Sequence, residues 1–130
     1  KNIKKFDIVV PCIKGSNLDS KNIVKVLFND HGKVLYLSRA AVPFDFKNNN
    51  INLYKHLSVI SFKKESLLKF SKLKMSKYEK IEGVELLRAI ENDMSVGTFV
   101  SNSNSFAVDV KSDLEKAKII MPHDRLRKKY

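Results

Sequence analysis

The chain has 130 residues, of which 43% are hydrophobic, which is enough for one compact α/β unit but too little for two full domains. The chain has one cysteine, Cys12, so it cannot form an intramolecular disulfide framework. One cysteine and three histidines also lack the paired cysteines of a typical structural zinc cluster. No run of apolar residues approaches the roughly 20 that a membrane span needs. The Asn- and Lys-rich stretch after Lys1 also has no long apolar core of the kind found in signal peptides. We therefore expect a cytoplasmic protein that does not partner a membrane.

The charge of +11 raises the question of nucleic-acid binding. Arginine, the residue that makes bidentate phosphate contacts, occurs only four times, so lysine carries most of the excess. The basic residues are spread along the chain without interleaved aromatic residues, and the only dense cluster lies at residues 125–129. We predict a solvated basic tail over residues 122–130 and no nucleic-acid partner.

The first half of the chain predicts three strands. Phe6–Ile13 is a short apolar run rich in Val and Ile, and residues 15–19 form a loop after it. Ile23–Phe28 and Lys33–Leu37 predict a hairpin in which Gly32 supplies the positive φ of the turn. Because a core strand starts so close to residue 1, which is not Met, we expect further sequence upstream.

The second half predicts alternating strands and helices after a polar loop at residues 47–52. Two capping-box patterns, residues 76–79 and 112–115, each indicate a helix start. The predicted elements are a strand at Leu57–Phe62, a helix at Lys64–Leu73, a helix from Ser76 to Asn92 and Asp93, a strand at Phe106–Val110 and a last helix that Pro122 ends. The helix from Ser76 has an apolar stripe formed by Ile81, Val84, Leu87 and Ile90. The order indicates an α/β fold with a mixed sheet.

On chemistry alone, few residues are candidates for a site. His31 lies in the predicted turn, where exposure to solvent is the plain interpretation, and His56 is either a ligand contact or a structural residue at a strand edge. Asp109, between two valines at a strand end, suits a hard cation or, alternatively, caps the following helix. The chain contains no P-loop, nucleophile elbow or glycine-rich dinucleotide turn.

Several segments together resemble one family. Residues 23–27 (IVKVL), 35–40 (LYLSRA) and 42–44 (VPF) resemble a stretch of the 3-deoxy-manno-octulosonate cytidylyltransferases, the CMP-Kdo synthetases of lipopolysaccharide assembly. Residues 54–57 (YKHL), 77–89 and 107–117 are similar to further blocks of that family, in the family's order. The resemblance implies that residues 1–121 form the C-terminal part, and only that part, of a Rossmann-like, nucleotide-sugar-transferase-like domain.

The resemblance also implies an activity and a set of site residues. The family transfers CMP from CTP to Kdo with Mg²⁺, and Asp109 corresponds to a magnesium ligand. Arg39 and His56 would bind the sugar, Arg39 at its carboxylate and His56 at its hydroxyls. Glu85 would orient the sugar, or alternatively would be a surface carboxylate paired with Arg88.

The departures from the family pattern fall at positions that face ligands in the family. Leu86 stands where the family has Gln, residues 58–62 (SVISF) replace a strand with glycine and tyrosine, and Val110 replaces a hydroxyl residue. The family's CTP-binding loop and a second metal aspartate lie upstream of the matching part. We expect a chain that is inactive alone and that pairs as a homodimer or with a complementary N-terminal chain; the alternative is a non-catalytic remnant or self-associating interaction module.

Overall fold

The computed structural model describes residues 4–15, 18, 20–49, 51–102, 108 and 110–124. One sheet forms the centre of the fold, and short helices pack against it. The strands are β1 (Ile8–Gly15), β2 (Lys25–Phe28), β3 (Val34–Ser38), β4 (Leu53–His56), β5 (Ser61–Phe62) and β6 (Val96–Val100). The helices are α1 (Lys64–Phe70), α2 (Lys77–Glu82), α3 (Leu86–Glu91) and α4 (Lys111–Ile120), followed by a 3₁₀ turn at Met121–His123.

The sheet is mixed, as predicted. Its strands follow the order β3-β2-β4-β1-β5 with antiparallel pairing, and β6 pairs with β1 in parallel. β1 is central because its Val- and Ile-rich sequence can be buried on both faces. Ile8, Val10 and Cys12 lie on one face of β1 and are fully buried, in a core that also includes residues of β2, β3, β6 and α3. Val9, on the opposite face, is only 3% exposed.

The predicted hairpin is confirmed in β2 and β3. Gly32 has a φ of 76°, and its N–H donates to the Asn29 carbonyl at 2.9 Å. The Asn29 side chain accepts hydrogen bonds from the N–H groups of His31 and Lys33 at 3.1 and 2.9 Å. An Asn that bonds the backbone two residues ahead is the local reason for the turn.

The predicted strand at Leu57–Phe62 is wrong over most of its length. β4 ends at His56, where the register places Cys12 opposite it, and β5 is a two-residue strand. Val59 and Ile60 lie between the two strands and are 63% and 38% exposed. Pairing with the central strand therefore decides the strand boundaries here, rather than the apolar run in the sequence.

The helical predictions are confirmed in position but not in extent. The first helix ends at Phe70, earlier than predicted, and the second is interrupted at Gly83, which has a φ of 62° and caps α2. Ile81, predicted to continue the apolar stripe, is 68% exposed. A left-handed C-cap is a common helix stop, and it turns the chain into α3.

The C-terminal predictions have mixed outcomes. Within the predicted strand Phe106–Val110, only residues 108 and 110 are described, and neither lies in a strand. β6 was not predicted. The last helix begins at Lys111, with the Val110 N–H donating to the Asp113 carboxylate at 3.2 Å, so the capping residue precedes the predicted Ser112. α4 ends two residues before Pro122, as Pro permits.

Within the described part of the chain, no helix has the length and apolarity that a bilayer span requires.

Candidate functional site

A pocket of about 320 Å³ lies where β4 ends, between the segment that precedes β2 and the first turns of α4. Its lining is mostly polar and combines hydroxyl, amide, imidazole, ammonium and carboxylate groups. The lining residues are Ser20, Asn22, Ile23, Val24, Lys55, His56, Ser58, Val110, Asp113 and Lys116.

His56 is the sequence-predicted site residue that the structure places in this pocket. Its backbone N–H donates to the Val24 carbonyl at 2.8 Å, which fixes the end of β4 beside the pocket wall. Burial lowers the pKa of the imidazole below its ordinary 6.5, so the ring is neutral at pH 7. Nε2 is buried and has no hydrogen-bond partner among the described residues, so a residue that lines the pocket carries an unsatisfied polar atom.

Arg39 lies outside the lining of this pocket. Its guanidinium donates hydrogen bonds to three backbone carbonyls, an arrangement called the Arg39 clasp below. Its Nε donates to the carbonyl of Glu82 at 2.7 Å, Nη1 to that of Lys21 at 2.9 Å and Nη2 to that of Gly83 at 3.4 Å. Its side chain does not line the pocket at His56. The guanidinium thus joins the segment before β2 to the turn between α2 and α3.

Glu82 completes this clasp and is a residue that sequence reasoning missed. Its carboxylate accepts hydrogen bonds from the Ser38 hydroxyl at 2.7 Å and from the Arg39 N–H at 2.8 Å. Glu82 and Arg39 are 43 positions apart. No local pattern marks such a pair, although Glu82 belongs to a block that resembles the family.

Lys25 supports the same region from inside the protein. Its side chain is fully buried in β2, and Nζ donates to the carbonyls of Ser20 at 3.0 Å and Ile23 at 2.9 Å, and to that of Arg39. A buried ammonium needs such acceptors to offset the loss of water. Because Ser20 and Ile23 line the pocket, Lys25 fixes one of its walls.

Glu85 is a surface carboxylate near Arg88, which is the alternative that the sequence left open. Its carboxylate is 62% exposed and lies 3.8 Å from Arg88 Nη2, and it does not line the pocket. Leu86, which stands at the family's Gln position, is 2% exposed and belongs to the hydrophobic core. The role of Glu85 toward a sugar stays a prediction.

Asp109, the predicted magnesium ligand, lies outside the described residues. Among the residues that the structure describes, no group of three or more His, Cys, Asp or Glu side chains is arranged to hold a metal ion. The Mg²⁺ prediction therefore depends on the resemblance alone.

Comparison with known proteins identifies the family. A family model described as cytidylyltransferase matches residues 5–96. The chain belongs to the cytidylyltransferase family. Among curated relatives, the 3-deoxy-manno-octulosonate cytidylyltransferase of Thermodesulfovibrio yellowstonii is 38% identical over 111 residues, a match that covers 80% of this chain and 43% of that protein. The enzyme of the same name from Leptospira interrogans (serovar Lai) is 36% identical, and the match covers 82% of this chain and 42% of that protein. The enzyme of the same name from Rickettsia canadensis is 35% identical, and the match covers 86% of this chain and 45% of that protein.

A solved structure supports the fold of this cytidylyltransferase chain. It is that of a CMP:2-keto-3-deoxy-manno-octonic acid synthetase complexed with CTP, and it matches with a TM-score of 0.85 at 24% identity. The match covers 92% of this chain and 51% of the other. The fold is thus α/β of the nucleotide-sugar-transferase type, as predicted, and the chain spans less than half the length of the curated relatives named above.

Proposed function

We propose that this chain is the sugar-binding C-terminal portion of a cytidylyltransferase that transfers CMP from CTP to Kdo. The observation that carries the proposal is the unpartnered, buried Nε2 of His56 in a polar pocket. Its support from the comparisons is the match to relatives named 3-deoxy-manno-octulosonate cytidylyltransferase. A polyhydroxy sugar acid is the kind of ligand that such a pocket suits.

The residues of the pocket would bind and orient the sugar. The neutral imidazole of His56 can donate to or accept from a sugar hydroxyl, depending on which ring nitrogen carries the proton. The hydroxyls of Ser20 and Ser58 and the amide of Asn22 add further donors and acceptors. Orientation matters because the anomeric hydroxyl must attack the α-phosphate of CTP in line with the departing pyrophosphate.

The CTP side of the reaction is proposed to come from outside this chain. The matched relatives are about twice as long, and the chain has no glycine-rich phosphate loop. Mg²⁺, which we propose Asp109 helps to hold, would neutralise charge that develops on the phosphates. Without preorganised groups for that charge, the 130-residue chain alone would release no pyrophosphate from CTP and Kdo.

A Kdo titration of the complete chain, followed by NMR or calorimetry, tests this proposal. We expect saturable binding, and we expect His56→Gln to weaken it roughly threefold to tenfold because one neutral hydrogen bond is disturbed. His31→Gln, in the exposed hairpin turn, is the matched control and should leave binding unchanged. Absence of Kdo binding to the unaltered chain would overturn the proposed sugar-binding role.

Pyrophosphate release is the second readout of the same proposal. The chain alone, with CTP, Kdo and Mg²⁺, is expected to show only the background rate. Metal-dependent release by the chain alone would contradict the idea that the CTP-binding part must be supplied by other sequence.

A self-associating, non-catalytic module is the second candidate function, and a specific observation favours it. None of the side chains of α4 is buried, and Leu114, Ile119 and Ile120 are 46%, 72% and 44% exposed. Exposed apolar side chains on one helix are typical of an interface. A stable dimer in sedimentation, combined with no binding of Kdo, would favour this candidate over the first.

A further inference from the structure

A sugar acid brings a carboxylate into the pocket, and a carboxylate that leaves water needs a cation or several donors. The resemblance assigns this task to Arg39. In the structure, however, the Arg39 guanidinium donates to the carbonyls of Lys21, Glu82 and Gly83, and its side chain does not line the pocket. Because the Arg39 clasp would have to open before the guanidinium reached a ligand there, a residue of the lining is better placed to supply the charge.

We infer that the ammonium of Lys55 in β4 receives the carboxylate of the sugar acid in this pocket. The inference rests on the proposed function, because it concerns the same pocket and the same ligand. It adds a residue that selects a sugar acid over a neutral sugar of similar shape, and the resemblance assigned no role to this residue.

The pairing of β4 with β2 places Lys55 on the pocket side of the sheet. Lys55 is directly opposite Lys25 in the register of the two strands, and residues opposite each other in an antiparallel pair project from the same face. Lys25 Nζ donates to the carbonyls of Ser20 at 3.0 Å and Ile23 at 2.9 Å, and both of those residues line the pocket. The face from which Lys55 projects is therefore the face on which this wall lies, in agreement with the presence of Lys55 in the lining.

The charge of Lys55 is available to a ligand. Lys55 is half-buried, and its side chain has no hydrogen bond or ion pair with any residue that the structure describes. Lys116 is another ammonium of the lining, but it already has an interaction of its own, and the Asp113 carboxylate accepts a hydrogen bond from the Val110 N–H at 3.2 Å. The His56 ring adds no charge, because burial lowers its pKa and keeps it neutral at pH 7. In the lining as described, Lys55 is thus the cation that can bind an anion without breaking another contact.

Two strand lysines and two ligands make the test. Lys55→Gln removes the charge at the pocket, whereas Lys14→Gln removes the same charge from an exposed residue of β1 that does not line the pocket. The ligands are Kdo and its methyl ester, which lacks the negative charge. We expect Lys55→Gln to weaken Kdo binding about tenfold, because a hydrogen bond to a charged group is lost, and to leave binding of the ester unchanged. Lys14→Gln should change neither affinity, and Lys55→Arg, which keeps the charge, should still bind Kdo more tightly than the ester.

The outcomes distinguish a failure of this inference from a failure of the proposed function. If the unaltered chain binds no Kdo, the proposed function fails and the inference fails with it. If Kdo binds but Lys55→Gln has no effect, or weakens Kdo and ester binding equally, the sugar pocket stands and the assignment to Lys55 is wrong. A loss of Kdo affinity confined to Lys116→Gln or to Arg39→Gln would likewise overturn the assignment. Unchanged thermal unfolding of each variant shows that the fold is intact.

Discussion

Asp7 lies at the point where β1 begins, and its carboxylate joins three parts of the fold. It accepts hydrogen bonds from the Ser95 N–H at 2.8 Å, the Ser95 hydroxyl at 2.6 Å and the Ser66 hydroxyl at 2.9 Å. These bonds, led by the one from the Ser95 hydroxyl, lower the pKa of Asp7 from 3.8 to about 2. The charged form is therefore favoured by folding.

This shift predicts a pH dependence of stability with a definite sign. A carboxylate whose pKa falls on folding contributes its full stability above its unfolded pKa of 3.8, and loses it as the pH falls toward about 2. The contribution at neutral pH is about 1–2 kcal/mol after allowance for solvent screening. Asp7→Asn should lower the free energy of unfolding by that amount at pH 7 and flatten its decline between pH 4 and pH 2.

Urea unfolding at several pH values measures this effect. Asp45→Asn is a suitable control because, among the residues described, the Asp45 carboxylate bonds within its own exposed loop, to the N–H groups of Asn49 and Ile51. An Asp7→Asn variant whose stability falls between pH 4 and pH 2 as steeply as that of the unaltered chain would refute the role of Asp7.

The residues of the site also show how far sequence reasoning reaches. Pattern and resemblance selected His56 and Arg39, and the structure places both near the segment that precedes β2, one in the pocket and one in the clasp. What a side chain contacts depends on partners far along the chain, such as Glu82 for Arg39. Glu82 was missed for this reason, because no periodicity connects positions so widely separated. Lys25 was missed because a lysine predicts an exposed side chain, whereas its ammonium is buried and donates to nearby carbonyls.

Among the elements, α2 and α3 are joined by an ion pair. Arg88 Nε donates to Glu79 Oε2 at 2.8 Å, and its Nη1 donates to the Leu73 carbonyl at 3.3 Å. The guanidinium also lies 5.2 Å from the centre of the Phe70 ring. Both charged side chains are largely buried, at 15% exposure for Arg88 and 7% for Glu79, so the pair is part of the packing between helices.

Replacement of Arg88 by Lys should therefore destabilise the fold although the charge is retained. A lysine cannot form two parallel hydrogen bonds with a carboxylate or stack its planar group on Phe70, and the loss is expected to be about 1–2 kcal/mol. Glu85→Gln serves as the control because Glu85 is exposed and 3.8 Å from Arg88. Chemical unfolding that shows equal losses for Arg88→Lys and Glu85→Gln would contradict this interpretation.

Elements with local signals were predictable, and elements set by long-range pairing were not. The Gly32 turn and the capping box at Ser76, whose N–H donates to the Glu79 carboxylate at 3.0 Å, are encoded within a few residues. β6 is a short segment in which Gly97 interrupts the strand-forming residues Val96, Thr98, Phe99 and Val100. It forms because five of its residues pair in parallel with β1, about 88 positions earlier. Such pairing is invisible to a sliding window.

At the scale of the whole molecule, the exposed apolar surface and the partial match to relatives both raise the question of what covers this surface. α4 has no buried side chain, and Phe99 and Val100 at the end of β6 are each 47% exposed. The chain also matches only 43% of the Thermodesulfovibrio yellowstonii protein. We propose that these surfaces are covered in a complete enzyme by its N-terminal portion.

Complementation tests this proposal directly. The N-terminal portion of the Thermodesulfovibrio yellowstonii relative, supplied as a separate polypeptide, should associate with this chain and give Mg²⁺-dependent pyrophosphate release from CTP and Kdo above the level of either polypeptide alone. Ile119→Glu, at a side chain that is 72% exposed, should weaken the association about tenfold or more, because it places a charge in an apolar contact while leaving the isolated chain folded. Lys118→Gln is the neighbouring control and should associate normally. Absence of a complex by sedimentation, or an Ile119→Glu variant that associates as tightly as the unaltered chain, would show that α4 does not face the N-terminal portion.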